Sequence, residues 1–136
     1  MTFWRCYYHF IWATKVREPV IDQKIEKVIF EIIRAKSSEL DCHVLAINGT
    51  QDHIHVAVNI PPKVSVAEWA KAAKGVSARE INLSYPDRES RFSWQSGYGV
   101  LTFGAKHIDL VVGYIERQKE HHRMNTLIAY LEQDSE

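Results

Sequence analysis

His53-Ile54-His55 sets two imidazoles one residue apart. In a strand, alternate side chains share a face, so both rings project one way while Ile54, Val56 and Val58 project the other. Two unpaired polar rings side by side in an apolar core would cost stability, and a shared divalent cation accounts for both. Two partly exposed histidines without any ligand are the commoner circumstance for a bare His-x-His in a strand.

A second pair lies near the C-terminus. Tyr114 and Gln118 are four residues apart, so a helix through Tyr114-Ile115-Glu116-Arg117-Gln118 would carry both on one face, about one turn apart. Gln118 then has an amide oxygen to offer a metal, and Tyr114 a phenol beside it. Without the histidines, the same pattern reads as an amphipathic helix with a core tyrosine and a solvated glutamine. His121 and His122 follow, either as nucleic-acid contacts or as a solvated helix end.

Lys71, Lys74 and Arg79 are interleaved with Ala70, Ala72, Ala73, Gly75 and Ala78, small residues that admit a close partner while the cations meet phosphates. Lys15 and Arg17 are weaker candidates for the same role. Trp69, Tyr85, Trp94 and Tyr98 have the flat rings on which unpaired bases stack, although each is more readily a core residue.

The elements that must position these groups follow from the pattern of the chain. Its 136 residues are 46% hydrophobic and 25% charged, the balance of one folded domain over residues 1–136. Seventeen basic residues meet seventeen acidic ones, so phosphate binding has to rest on a local basic stripe. Cys6 and Cys42 lack metal-site spacing and are expected to be buried free thiols. No apolar run reaches the roughly 18–20 residues of a membrane span. The N-terminus runs straight into aromatic sequence without signal-peptide regions, which predicts a cytoplasmic protein.

Residues 5–14 read as a strand, and 22–40 as a helix with Asp22 at its N-cap and Ile25, Val28, Ile29, Ile32 and Ile33 at helical spacing. Strands over 42–47 and 53–60 flank a turn at Asn48-Gly49-Thr50. Ser65 with Glu68 three residues on opens a helix to about Leu83. Residues 94–104 are the last strand, and a helix runs from about Lys106 through the two histidines. The order β-α-β-β-α-β-α predicts an α+β fold: a ferredoxin-like or RNA-recognition-motif-like four-stranded antiparallel sheet with a C-terminal tyrosine-bearing helix. Two helices would cover one face and leave the other free.

The ordered segments YHFIWATKVREPVI, QDHIHVAV, PPKVSVAEWAKAAKGVSAR, WQSGYGVLTF and YIERQKEHHR resemble the HUH-type single-tyrosine transposases of small bacterial insertion sequences, over nearly the whole chain. The resemblance maps the family's paired metal ligands onto His53 and His55, its nucleophile onto Tyr114 and its helical third ligand onto Gln118, with Asp52 before the pair as in the family. It implies a Mg²⁺ or Mn²⁺ cofactor, single-stranded DNA with hairpin ends as substrate, and a homodimer whose last helix carries the tyrosine toward the partner's histidines. The chemistry it implies is cutting and rejoining through a 5′-phosphotyrosine, which conserves the bond energy for religation. The neutral total charge and the acidic close of the chain depart from the family's common pattern. Three rival functions share much of the sequence: a relaxase-like or host-adopted single-strand nickase, a non-catalytic nucleic-acid-binding module, and a metal hydrolase, for which one His-x-His without further His, Asp or Glu clusters is thin support.

Overall fold

The computed structural model describes residues 2–124 and 127–135, with backbone alone for Met124. Met1, at the head of the aromatic stretch, and Glu136, in the acidic tail, lie outside the described residues. The elements run β1 (Tyr7–Ala13), α1 (Gln23–Glu39), β2 (His43–Gly49), β3 (His53–Asn59), α2 (Val66–Ser84), β4 (Gly99–Phe103), α3 (Ile108–Glu116) and α4 (Gln118–Met124). Among the described helices, none is long and apolar enough to cross a membrane.

The sheet has the order β2-β3-β1-β4, all antiparallel, which is the expected ferredoxin-like arrangement. Both central strands are buried on both faces. One face presents Phe10, Trp12, Ile54, Val56 and Val58 to α1 and α2, which contribute Ile25, Ile29, Ile33, Trp69, Ala73 and Ile81. The two buried serines on these helices are not orphaned: Trp69 Nε1 donates to Ser37 Oγ at 3.0 Å, and Trp94 Nε1 to Ser77 Oγ at 2.9 Å.

Both helix starts follow from capping. Asp22 accepts from the Ile25 amide at 2.8 Å and Ser65 from the Glu68 amide at 3.0 Å, satisfying first-turn donors that have no partner within the helix.

The structure revises several of the expectations. The opposite sheet face is not free: α3 lies on it through Val111 and Ile115, against Ala46 and Ala57. Asn48 and Gly49 belong to β2 and not to the turn, because Asn48 pairs with His55 and Gly49 with Ile54 of β3. A Cβ on Gly49 would fall 2.2 Å from the His53 carbonyl, so the close approach of β2 to β3 there demands glycine. The last strand spans only Gly99–Phe103, with Trp94 in an isolated bridge to Thr14. Cys42 is buried as expected, whereas Cys6 is only half-buried.

Candidate active site

The site lies on the second sheet face, between β3 and the C-terminal elements. Alternation puts His53 and His55 there, 3% and 0% exposed, while Ile54 and Val56 enter the main core. β1 has the same phase: Phe10 and Trp12 face the helices, which turns His9 onto the histidine face. His9 is 0% exposed, and its Nε2 lies 2.9 Å from His55 Nδ1.

α3 presents Val111, Tyr114 and Ile115 to the sheet, the i, i+3, i+4 set of one helix face. It ends at Glu116. Arg117 departs from helical geometry (φ −101°, ψ 22°) and α4 begins at Gln118, so the single helix expected through both residues is broken between them. Asn48 stands at the break. Its amide donates to the Glu116 carbonyl at 3.0 Å and its oxygen accepts from Lys119 Nζ at 2.6 Å. A helix-end carbonyl needs such a partner, and this one ties Gln118 to the strand beside β3.

The histidines, the tyrosine and the glutamine meet at one carboxylate. Glu132, just after the short 3₁₀ turn Ala129–Leu131, places Oε1 3.0 Å from His55 Nε2 and 3.4 Å from His53 Nε2. Its Oε2 accepts from Gln118 Nε2 at 2.9 Å and from the Tyr114 hydroxyl. Gln118 Oε1 is 3.3 Å from His53 Nε2. His122, four residues after Gln118 on α4, brings Nε2 to 3.5 Å from Glu132 Oε1. His121 stacks on Tyr114, with ring centroids 4.5 Å apart.

The tail that carries Glu132 is held on both sides. Leu131 is buried, Arg17 pairs with Asp134 at 2.6 Å, and a Cβ on Gly99 would fall 2.0 Å from the Gln133 carbonyl.

Burial and charge set the protonation states. Burial pulls His53 down, but hydrogen bonds and charge from Glu132 and Asp52 outweigh it, and its pKa ends above the ordinary value. Burial prevails at His55, whose pKa is lowered, and takes His9 down to about 3, so that His9 is neutral. Burial raises Glu132, yet the neighbouring histidines and Tyr114 more than reverse this and hold it well below the carboxylate range. Burial first and Glu132 second push the Tyr114 phenol up to about 12.

The donor set suits a divalent metal. His53, His55, His122 and Glu132 each offer one ligand atom, all within 4.8 Å of one another. Neutral imidazole nitrogens with one carboxylate oxygen are a combination such ions accept. His53 also has an acceptor for its outward nitrogen, since Asp52 Oδ1 is 2.8 Å from Nδ1. A carboxylate in that place fixes a histidine ligand's orientation.

Sequence reasoning picked out His53, His55, Tyr114 and Gln118, and the fold brings all four together within one chain. It missed Glu132 and His9 and left His122 undecided. For His122 a signal was present, because it follows Gln118 by one helical turn. For Glu132 there was none, since a carboxylate in an acidic tail has no pattern of its own.

The basic candidates divide. Lys71, Arg79 and Lys15 are exposed. Lys74 is turned inward, donating to the Gln95 and Gly97 carbonyls at 2.8 Å each. Arg17 is taken up by Asp134 and by Asp52 at 3.6 Å. Trp69 and Trp94 are core residues, with Tyr85 and Tyr98 packed against the same core, so the aromatic candidates serve the fold.

An α+β sheet with a histidine pair, a tyrosine and a polar helical side chain at one point defines the class of DNA-processing enzyme that the sequence resembled. The family described as "Transposase IS200 like" matches residues 2–118, and the chain belongs to it. The transposase for insertion sequence element IS200 of Salmonella typhimurium is 29% identical over 132 residues, 94% of this chain and 86% of that protein. The ISDra2 transposase TnpA of Deinococcus radiodurans is 26% identical over 117 residues, 83% and 84% of the two chains. A crystal structure described as that of a transposase from Deinococcus radiodurans superposes with a TM-score of 0.71 at 26% identity, covering 86% of this chain and 93% of that one. A REP-associated tyrosine transposase bound to a REP hairpin shares the fold at 12% identity, with a TM-score of 0.67 over 93% and 76% of the chains. Glu132 lies beyond the matched family segment.

Proposed function

We propose that this transposase cuts and rejoins single-stranded DNA at the ends of a mobile element, with Tyr114 as nucleophile and His53, His55 and Gln118 as ligands of Mg²⁺ or Mn²⁺. The observation that carries this reading is the convergence of the Tyr114 hydroxyl and both imidazoles on the carboxylate of Glu132. Glu132 and His122 are further donors in reach of the same ion.

Bound there, the cation supplies Lewis-acid neutralisation of a non-bridging phosphate oxygen. Tyr114 Oη forms the new bond to phosphorus, and the bond to the 3′ oxygen breaks. A 5′-phosphotyrosine and a 3′-hydroxyl result, the phenolic proton ending on the departing side. Reversal of the same exchange with another 3′-hydroxyl rejoins the strand without an external energy source.

In the structure the Tyr114 hydroxyl donates to Glu132. A general base works best when its pKa approaches that of its partner and the working pH. Here the phenol is pushed up to about 12 while the carboxylate is held far below its usual range, so the proton stays on Tyr114. Attack requires the phenol to exchange its bond to Glu132 for the substrate.

The reading takes residues 1–136 as one functional unit, working in the cytoplasm, where chromosomal DNA is found. It includes a homodimer, although each chain brings its own tyrosine to its own histidines. Exposed Lys71, Arg79 and Lys15 are proposed to meet phosphates, and Lys74 and Arg17 to hold the framework.

The test is incubation of the protein with a labelled, hairpin-bearing single strand and Mn²⁺. A covalent protein–DNA adduct should form, disappear in Tyr114→Phe and require the cation, with hairpin binding surviving chelation. Strand binding without an adduct under any end sequence would favour a non-catalytic binding module.

A further inference from the structure

His9 is buried in the central strand β1, on the face of the sheet that carries the site. Its Nε2 lies 2.9 Å from His55 Nδ1, with the ring centroids 5.1 Å apart. Its own Nδ1 is buried and has no partner among the described residues. An unmet buried polar atom of this kind is destabilising, and an apolar side chain at this position would avoid that cost. The polar ring is therefore explained by what it does for His55.

Resting on the metal-site reading above, we propose that His9 is the positioning residue for His55: it accepts the Nδ1–H of His55 and so fixes Nε2 as the nitrogen that faces the ion. A neutral imidazole has one N–H and one lone pair. For His55 Nε2 to offer its lone pair to a cation, the proton must sit on Nδ1, and the only described group within hydrogen-bond distance of Nδ1 is His9 Nε2. His9 must then carry its own proton on Nδ1, the atom left without a partner. When His55 Nε2 donates to Glu132 Oε1, 3.0 Å away, its Nδ1 accepts instead and His9 donates from Nε2. The pair holds two protons in either case. With Nε2 given to an ion, both protons would sit on Nδ1 after exchange with solvent, and the pair would neither gain nor lose a proton.

His53 and His55 thus have unlike supports. Asp52, adjacent in sequence, accepts from His53 as a carboxylate, while His55 relies on a neutral ring 46 positions away. Outer partners of metal-bound histidines orient the ring and select its tautomer.

The test measures Mn²⁺ affinity of the intact protein by electron paramagnetic resonance for wild type, His9→Leu and His9→Gln, with melting temperatures alongside. Loss of an outer partner typically weakens metal binding about 10- to 100-fold. His9→Leu should show that loss without a lower melting temperature. His9→Gln, whose amide oxygen can accept in place of Nε2, should recover most of it. Wild-type affinity in His9→Leu overturns the assignment, as does equal loss in both variants. Absence of Mn²⁺ binding by wild type would instead bring down the metal-site reading and this inference with it. Should His9→Leu not fold, ¹⁵N spectra of the wild-type protein with Mg²⁺ decide: His55 protonated at Nδ1 supports the proposal, and His55 protonated at Nε2 overturns it.

Discussion

The hydroxyl of Tyr114 donates to Oε2 of Glu132, while the other oxygen of the same carboxylate lies 3.0 Å from His55 Nε2. One anion from the tail therefore occupies the space between the proposed nucleophile and the proposed metal ligands. Its charge disfavours ionisation of the phenol, adding to the effect of burial. Glu132→Gln keeps the volume and removes the charge. The Tyr114 pKa should fall from about 12 toward the ordinary value, read by NMR of ¹³C-labelled tyrosine. An unchanged titration would leave burial as the whole cause.

His53 makes the metal-free protein sensitive to alkaline pH. Its folded pKa is raised, through Glu132 and Asp52, above an unfolded value of about 6.5. The folded state binds the proton more tightly, so the resulting stability is complete below about 6.5 and fades as pH rises through the raised folded value. Thermal melts in chelator between about pH 6 and 9 should show this decline. Asp52→Asn should flatten it, and a wild-type curve that is already flat over that range would refute the coupling.

Lys74 is spent on the loop before β4, donating to two carbonyls. Lys74→Ala should lower stability by about 1 kcal/mol, the usual net value of one intramolecular hydrogen bond, because solvent weakens both of its partly exposed bonds. It should leave the salt dependence of single-strand binding unchanged. Lys71→Ala and Arg79→Ala, which remove exposed cations, should each flatten the slope of log affinity against log salt by about 0.7 for every phosphate that is no longer neutralised. Urea midpoints and fluorescence anisotropy across a salt series separate the two groups.

Tyr114 reaches the histidines of its own chain, the rings of Tyr114 and His55 lying 6.1 Å apart. Mixing Tyr114→Phe protein with His55→Ala protein should therefore give no recovery of adduct formation, because no subunit holds a complete set. Recovery on mixing would show that the tyrosine works on a partner's histidines.

Asn48 fixes the break between α3 and α4 by bonding the Glu116 carbonyl and Lys119. Asn48→Ala should loosen the placement of Gln118 and cost about 1 kcal/mol, the usual value for losing an intramolecular hydrogen bond. Adduct formation should slow more than strand binding weakens. Equal effects on both would assign Asn48 to general stability.

The order of elements, both N-caps and the facing of the histidine pair were legible in the sequence, because each is decided by residues within a turn or two of one another. Periodicity set Ile25, Ile29 and Ile33 inward, and strand alternation separated His53 and His55 from Ile54 and Val56. The specific order of local motifs was enough to suggest the family. Contacts between distant segments were not legible. That His9 meets His55 depends on the register of β1 against β3, that Asn48 reaches the site face depends on a bulge in β2, and that Glu132 enters the site depends on how the tail packs past Gly99. Such relationships arise from packing across 46 to 77 positions of chain, as in the His9–His55 and His55–Glu132 pairs, where no local spacing rule operates. Local chemistry determined which groups are present and which way they face; tertiary packing alone decided which of them touch.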